Sequence, residues 1–117
     1  MDLNNAVQKH AEWKIKLRSA ISKHEQMDVA TLAKDNCCEL GEWLHGEGRA
    51  KFNKLESHGE CIQKHAAFHV EVARIASAVN AKKFIAAEDM LGAGTAYAHI
   101  SSALSVAFIR LRKEAGL

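Results

Sequence analysis

The chain has 117 residues, no proline, and nearly balanced charge, with 16 lysines and arginines against 14 aspartates and glutamates. This length suits a single domain over residues 1–117 with one core, and the mixed charges indicate neither nucleic acid nor a membrane surface as partner. Apolar runs are too short to span a bilayer, and the first residues lack the basic and apolar regions of a signal peptide. Three cysteines, an odd number, do not form a disulfide framework, so we expect a reduced, cytoplasmic protein.

Apolar residues recur at helical spacing along nearly the whole chain, and this periodicity predicts an all-α fold. The predicted helices, in chain order, cover about 3–26, 29–33, 37 or 38 to 46–48, 57–80 and 82–114. Asp28 can cap the second helix, and either Asp35 or Asn36 can cap the third. Ser57 and Glu60 have the spacing of a capping box at the start of the fourth.

The fifth helix is predicted to be the longest element. Its inward stripe is Ala86, Met90, Ala93, Tyr97, Ile100, Leu104, Ala107 and Leu111. Gly92 and Gly94 weaken it locally but allow another helix to approach closely. Without interruption it would be roughly 50 Å long, more than one small bundle needs, which suggests that part of it packs on a second subunit. We therefore expect a four-helix-type bundle, with short helices inserted between the first and fourth helices, that forms a homodimer.

Three histidines lie on the inward stripes of the predicted helices. His65 and His69 are four residues apart, so both rings project from one face of the fourth helix, and His10 lies on the buried face of the first. Cys38, at the start of the third helix, adds a thiolate. Three imidazoles and one thiolate suit Zn²⁺ and close a tetrahedral site. The alternative is that these are core histidines, each hydrogen-bonded to a buried neighbour.

The residues around the cysteine resemble the signature of the chemoreceptor zinc-binding domain family. The matching stretch is Cys38-x-Leu40-Gly41-x-Trp43-Leu44. The histidines fit the same family, because His10 lies 28 residues before the cysteine and the pair His65 and His69 begins 27 residues after it. The resemblance extends from the first predicted helix to the end of the fifth.

This resemblance implies that His10, Cys38, His65 and His69 bind a structural and sensory zinc ion in a helical homodimer. Domains of this family are usually joined to chemoreceptor or diguanylate cyclase modules. They sense zinc and, in some members, oxidants such as hypochlorous acid through the ligand cysteine. No output module accompanies this chain, so we expect either a stand-alone version or a piece of a larger protein. Cys37 adds a second thiol beside the ligand.

The function that we expect is a non-enzymatic sensor. Loss of the bond between Cys38 and zinc, through low zinc or oxidation of the thiolate, would free the third helix, which we expect to be the shortest and least anchored. One alternative is a passive, zinc-stabilised dimerisation module. Another, from a different class, is a di-iron protein of the hemerythrin or ferritin-like kind. That alternative needs several inward carboxylates, and Glu71 and Glu88 are not placed to bridge two metals.

The remaining histidines and cysteines receive structural interpretations. His45 and His58 flank the middle of the chain, and we expect both to be solvated. His99 lies off the main stripe of the fifth helix, and Cys61 is expected to be a small buried residue. His24 falls near the inward stripe of the first helix, but its spacing to the cysteine does not fit a ligand.

Two expectations concern the surroundings of the site. Trp43 is expected to pack the third helix onto the rest of the protein, with Gly41 allowing the close approach. A carboxylate or a backbone carbonyl should orient the ligand rings from behind. The candidate carboxylates, chosen by proximity in sequence, are Glu39, Glu42 and Glu71.

Overall fold

The structure is a computed structural model that describes residues 3–36 and 38–117. The helices, in chain order, are α1 (Leu3–Lys23), α2 (Val29–Leu32), α3 (Glu39–His45), α4 (Glu47–Phe52), α5 (Glu56–Asn80), α6 (Phe84–Met90) and α7 (Ala96–Ala115). Within these residues the regular structure is entirely helical, which confirms the all-α prediction. Cys37, the second thiol beside the predicted ligand, lies outside the described residues.

Helix α5 is the central element of the fold. It contacts every other helix, and its most extensive contact is with α7. Its buried residues recur at steps of three and four and therefore follow one broad face. They are Ser57, His58, Cys61, His65, Phe68, His69, Val72, Ala73, Ile75, Ala76 and Val79. Two of the predicted ligands are thus held on the most heavily packed helix of the protein.

The prediction of a single long fifth helix is wrong, because residues 91–95 divide it into α6 and α7. Gly94 has a φ of +79°, a left-handed conformation that glycine adopts without strain. Thr95 caps α7, since its hydroxyl oxygen accepts from the amide of Ala98 at 3.2 Å. The 20 residues of α7 span about 30 Å. The length of this helix therefore no longer indicates a second subunit.

The break also changes which residues face inward. In α7 the buried residues are Tyr97, Leu104, Ala107, Phe108 and Leu111, which include every member of the predicted stripe in this helix except the half-buried Ile100. In α6, by contrast, Ala86 is exposed and Ala87 is buried. The inward face of α6 is therefore displaced by one residue from the predicted stripe.

Other helix boundaries differ from prediction by a few residues. Helix α1 ends at Lys23 because His24 has a φ of +56°. Asp28 caps α2 as predicted, and its carboxylate accepts from the amide of Thr31 at 3.3 Å. The capping box predicted for α5 is wrong, since that helix begins at Glu56 and has no side-chain cap.

After α1, residues 27–36 and Cys38 run back along α5. At one end, the side-chain amide of Asn80 donates to the carbonyl of Met27 and accepts from its amide, both at 2.8 Å. Helix α2 packs on α5 in the middle, and α3 contacts α5 beyond Cys38. The described chain between the first helix and α3 is thereby attached to the central helix at both ends and in the middle.

No helix of the described residues combines the length and the apolar character needed to cross a membrane.

Candidate metal centre

The structure brings the four predicted ligands into one cluster. His10 on α1, Cys38 before α3, and His65 and His69 on α5 each offer one donor atom, and these atoms all lie within 4.8 Å of one another. The three histidines are between 0 % and 8 % exposed, whereas Cys38 is half-buried. The cluster is therefore closed on the histidine side and reachable on the cysteine side.

The distances within the cluster fit a tetrahedral ion. Cys38 Sγ lies 3.2 Å from His65 Nε2 and 3.5 Å from His69 Nε2, and the two nitrogens are 3.1 Å apart. Zinc bonds of about 2.0–2.1 Å to nitrogen and 2.3 Å to sulfur imply donor–donor separations of roughly 3.3–3.6 Å in a tetrahedron. Small adjustments would thus be enough for these three donors to bind one zinc ion.

Backbone carbonyls determine which ring nitrogens face the cluster. Nδ1 of His10 donates to the carbonyl of Ala6, and Nδ1 of His69 donates to that of Leu32, both at 2.9 Å. Because a carbonyl only accepts, Nδ1 carries the proton in both rings and Nε2 presents a lone pair. Nε2 of His10 is buried and has no hydrogen-bond partner among the described residues. A cation is the group that these convergent lone pairs fit.

These backbone carbonyls orient the ligand rings, a role for which three glutamates were also candidates. Glu39 pairs instead with Lys9 at 2.6 Å, and Glu71 pairs with Arg74 at 3.0 Å. Glu42 is exposed. The expectation of a carbonyl behind the rings is confirmed for His10 and His69.

Burial keeps the imidazoles neutral. Desolvation, together with the neighbouring rings of His69 and His10, lowers the pKa of His65 to about 3. Desolvation also lowers the pKa of His10 and of His69. Burial raises the pKa of Cys38, although the amide of Gly41 donates to its sulfur. Metal binding at neutral pH would therefore need no imidazole deprotonation but would release the proton of the thiol.

Zinc-free protein is expected to become less stable as the pH falls below about 6.5. Since the folded-state pKa values of His10, His65 and His69 are lowered, the unfolded chain binds more protons in this range. Each such histidine costs up to about 1.4 kcal/mol per pH unit until its folded-state pKa is reached. Urea unfolding of chelator-treated protein between about pH 7 and pH 5 would measure this slope. A His65→Leu variant should have a shallower slope, and equal slopes in the two proteins would contradict the prediction.

Cys38 itself occupies the cap position of α3. Its backbone is extended, with φ of −89° and ψ of 162°, and its sulfur accepts from the amide of Gly41 at 3.3 Å. The prediction that Asp35 or Asn36 caps this helix is therefore wrong. Leu40 in the first turn is only 2 % exposed, so packing of the helix holds the thiol beside the imidazoles.

Gly41 allows a close approach, and the part of the protein that approaches it is the segment that precedes α3. A Cβ atom at residue 41 would lie 1.8 Å from the carbonyl oxygen of Asp35. Trp43 instead covers Gly48, where a Cβ atom would lie 3.0 Å from the indole ring, and it packs against Phe52 on α4. The glycine of the signature therefore determines how the chain enters Cys38, and the tryptophan joins α3 to α4.

Two histidines that were predicted to be solvated anchor α3. His58 is 3 % exposed, and its Nε2 donates to the carbonyl of Leu44 at 3.0 Å. His45 is half-buried, and its Nε2 donates to the carboxylate of Asp35 at 2.9 Å. Helix α3 is thus firmly attached and is longer than the four-residue α2, so the expectation of a short, loosely held helix is wrong. A sequence signal existed for His58, which lies two turns before His65 on the same face.

The other individual predictions agree with the structure. Cys61 is completely buried, and burial raises the pKa of its thiol to about 12. His99 is exposed. His24 lies outside the cluster, and its ring stacks on Phe84 with centroids 3.8 Å apart.

A family model described as the chemoreceptor zinc-binding domain matches residues 10–76, more than half of the chain. The chain belongs to this family. All four clustered residues lie within the match, whereas α6 and α7 follow it. Searches of curated proteins and of solved structures found no match. Chemoreceptor zinc-binding domains occur in chemoreceptor-type signalling proteins and are regulatory rather than a known catalytic family.

Proposed function

We propose that this chain is a zinc-binding regulatory domain in which His10, Cys38, His65 and His69 hold one Zn²⁺. The supporting observation is the convergence of their four donor atoms within 4.8 Å. Three neutral imidazoles and one thiolate make a complete tetrahedral set, which leaves no position for a substrate. When bound, zinc would stabilise the Cys38 sulfur as a thiolate at neutral pH, and the thiolate is the reactive form.

We propose further that Cys38 is the ligand that responds to the signal, which is zinc supply, an oxidant, or both. The three histidines are buried, and backbone carbonyls orient two of them, so their rings have little freedom to leave. Cys38 is half-buried and can meet a dissolved reagent. Hypochlorous acid would transfer oxygen to the thiolate and release chloride, and the resulting sulfenic acid is a poor ligand.

The wider setting is also a proposal. We infer that residues 1–117 act as one domain in bacterial signalling, in chemotaxis or in cyclic-di-GMP control, with a chemoreceptor or diguanylate cyclase module as partner in the same or another chain. We place it in the cytoplasm as a homodimer. Support for a dimer comes from exposed apolar side chains on α5 and α7, where Val70, Val106 and Ile109 are 52 %, 63 % and 47 % exposed.

Cys38→Ser is expected to weaken zinc binding by more than about tenfold and to remove the response to oxidant. Loss of a group that only hydrogen-bonds a metal ligand already costs roughly 10–100-fold in metal affinity. Cys38→Ser replaces the ligand itself, so its cost should be at least comparable. Zinc content would be measured at graded doses of hypochlorous acid, with mass spectrometry of Cys38 and Cys61. Cys61→Ala, which removes a buried thiol outside the cluster, should keep both zinc and its oxidant-dependent release. Full zinc affinity and unchanged release in Cys38→Ser would refute the proposed switch.

The attachment of α3 favours a second candidate, a passive zinc-stabilised dimerisation module. Contacts that need no metal hold this helix, namely the bond from His58 to Leu44 and the packing of Gly41 on Asp35. Hydrogen exchange with and without chelator distinguishes the candidates. A sensor should show faster exchange in residues 33–45 after zinc removal, whereas a passive module should lose stability without a local change. The di-iron alternative gains no support, because the cluster within the described residues contains no carboxylate.

A further inference from the structure

A cavity of about 230 Å³ lies beside the cluster, between α1 and the start of α3. This volume far exceeds the ~10–15 Å³ that one water molecule needs on a comparable measure. Cys38 and His10 both line it, so the cavity reaches two of the four proposed ligands. Because Cys38 lines the cavity and the three histidines are buried, the cavity offers a dissolved molecule a route to the Cys38 sulfur.

The outer part of this cavity is positively charged. Lys9 and Lys16 line it and are exposed, and Glu39 is the one acidic residue among the described residues of its wall. Lys9 forms an ion pair with Glu39 at 2.6 Å, with both side chains more than half exposed. Lys16 extends over the ring of Trp13, 4.9 Å from its centroid, and no carboxylate of the described residues forms an ion pair with its ammonium. The charged side chains that line the entrance, Lys9, Lys16 and Glu39, therefore sum to +1, and Glu12, which also acts on Lys9, lies outside this lining.

We propose that this cavity is a binding site for small anions and that it selects anionic reagents for reaction with Cys38. The inference rests on the proposed function, in which Cys38 is the reactive ligand. Lys16 attracts the anion, and Lys9 contributes when it leaves Glu39. Such an exchange is feasible because exposed ion pairs are weak and an incoming carboxylate or other anion can replace the glutamate. Glu39 thus competes with the incoming anion for Lys9.

The test compares two alkylating reagents of similar size on zinc-loaded protein, anionic iodoacetate and neutral iodoacetamide. In each case the sulfur attacks the methylene carbon, the new S–C bond replaces the C–I bond, and iodide leaves. The measured quantity is the rate constant of iodoacetate divided by that of iodoacetamide at Cys38, determined by mass spectrometry. This ratio is then divided by the same ratio for glutathione. A value above about 3 is expected, since focused charge raises local anion concentration by tenfold or more, and added salt should lower it.

Charge variants at the entrance give the decisive comparison. Glu39→Gln releases Lys9 and should raise the ratio, whereas Lys9→Gln should lower it, and neither should change the iodoacetamide rate more than about twofold. Glu47→Gln is the matched control, because Glu47 forms an ion pair of similar length, 2.7 Å from Lys51, on α4 away from the cavity. It changes the net charge identically and should leave the ratio unaltered.

The outcomes separate this proposal from the proposed function. Equal ratios in wild type, Glu39→Gln and Lys9→Gln would overturn anion selection, as would a ratio that responds equally to Glu47→Gln. Failure of both reagents to modify Cys38 would overturn the cavity as an entry route, while zinc binding by the four residues would stand. Retention of full zinc affinity in Cys38→Ser would instead refute the four-ligand site, and the reagent ratio would still decide whether the cavity selects anions.

Discussion

His65→Leu is expected to abolish tight zinc binding without loss of folding. The ring lies at the centre of the cluster, with its Nε2 3.2 Å from the Cys38 sulfur and 3.1 Å from His69 Nε2. Its removal leaves three donors, and we expect zinc affinity to fall by at least about a hundredfold. That figure is the upper end of the cost of losing a group that only hydrogen-bonds a metal ligand. Competition with a chromophoric chelator would measure the change.

The same variant should keep or gain stability when zinc is absent. His65 is completely buried, and its Nδ1 has no hydrogen-bond partner among the described residues. A leucine of similar volume removes that unsatisfied polar group, and such replacements are often neutral or stabilising. His58→Ala is the matched control on the same helix, since His58 is also buried but lies outside the cluster. It should lose much less zinc affinity than His65→Leu, because all four donors remain, while losing roughly 1–3 kcal/mol of stability with its bond to Leu44. The reverse pattern would show that His65 is a structural histidine.

Gly41→Ala is expected to disrupt both the fold around Cys38 and its zinc affinity. The new methyl group would lie 1.8 Å from the carbonyl oxygen of Asp35 and 2.8 Å from its carbonyl carbon, so backbone would have to move. Alanine gains up to about 1 kcal/mol of helix propensity, but overpacking of this kind costs typically 1–3 kcal/mol or more. Because the displaced segment leads directly to Cys38, we also expect a roughly 10–100-fold loss of zinc affinity.

Gly59→Ala provides the control for this effect. Residue 59 lies within α5, and a Cβ atom there would meet nothing within 4 Å. The variant should therefore be stabilised by about 0.5–1 kcal/mol and should bind zinc normally. Chemical denaturation and zinc titration of both variants would test the pair. If Gly41→Ala were as stable as Gly59→Ala, the tight passage of Asp35 over α3 would not exist in solution.

The features that could be predicted from the sequence depend on local spacing. His65 and His69 are one turn apart, and any helix that buries one places the other beside it. The cysteine motif added the family, which the match over residues 10–76 confirms. The structure then places His10 beside these rings, although the assignment of all four as ligands remains a prediction.

The features that sequence reasoning missed depend on contacts between distant segments. The division of the last helix follows from Gly94 and Thr95, which periodicity alone cannot distinguish from a weak point in a continuous helix. The burial of His58 depends on where α3 ends, because the carbonyl of Leu44 is its partner. Gly41 was recognised as a site of close approach, but no local pattern could indicate that the approaching atom belongs to Asp35.

The attachment of residues 27–36 and Cys38 to α5 has a consequence for how a local change at the metal centre spreads. Three contacts hold this segment on the central helix, one at each end and one between them. They join Asn80 to Met27, His69 to Leu32 and His65 to Cys38. Loss of the contact at Cys38 would loosen this segment from that end, and the hydrogen bond from His69 to the carbonyl of Leu32 would be the next to break. The hydrogen bonds between Asn80 and Met27 would then limit how far the release extends. On the proposed function, a chemical change at one sulfur would thereby release a defined length of chain, whose extent is set by two side-chain hydrogen-bond donors on the central helix.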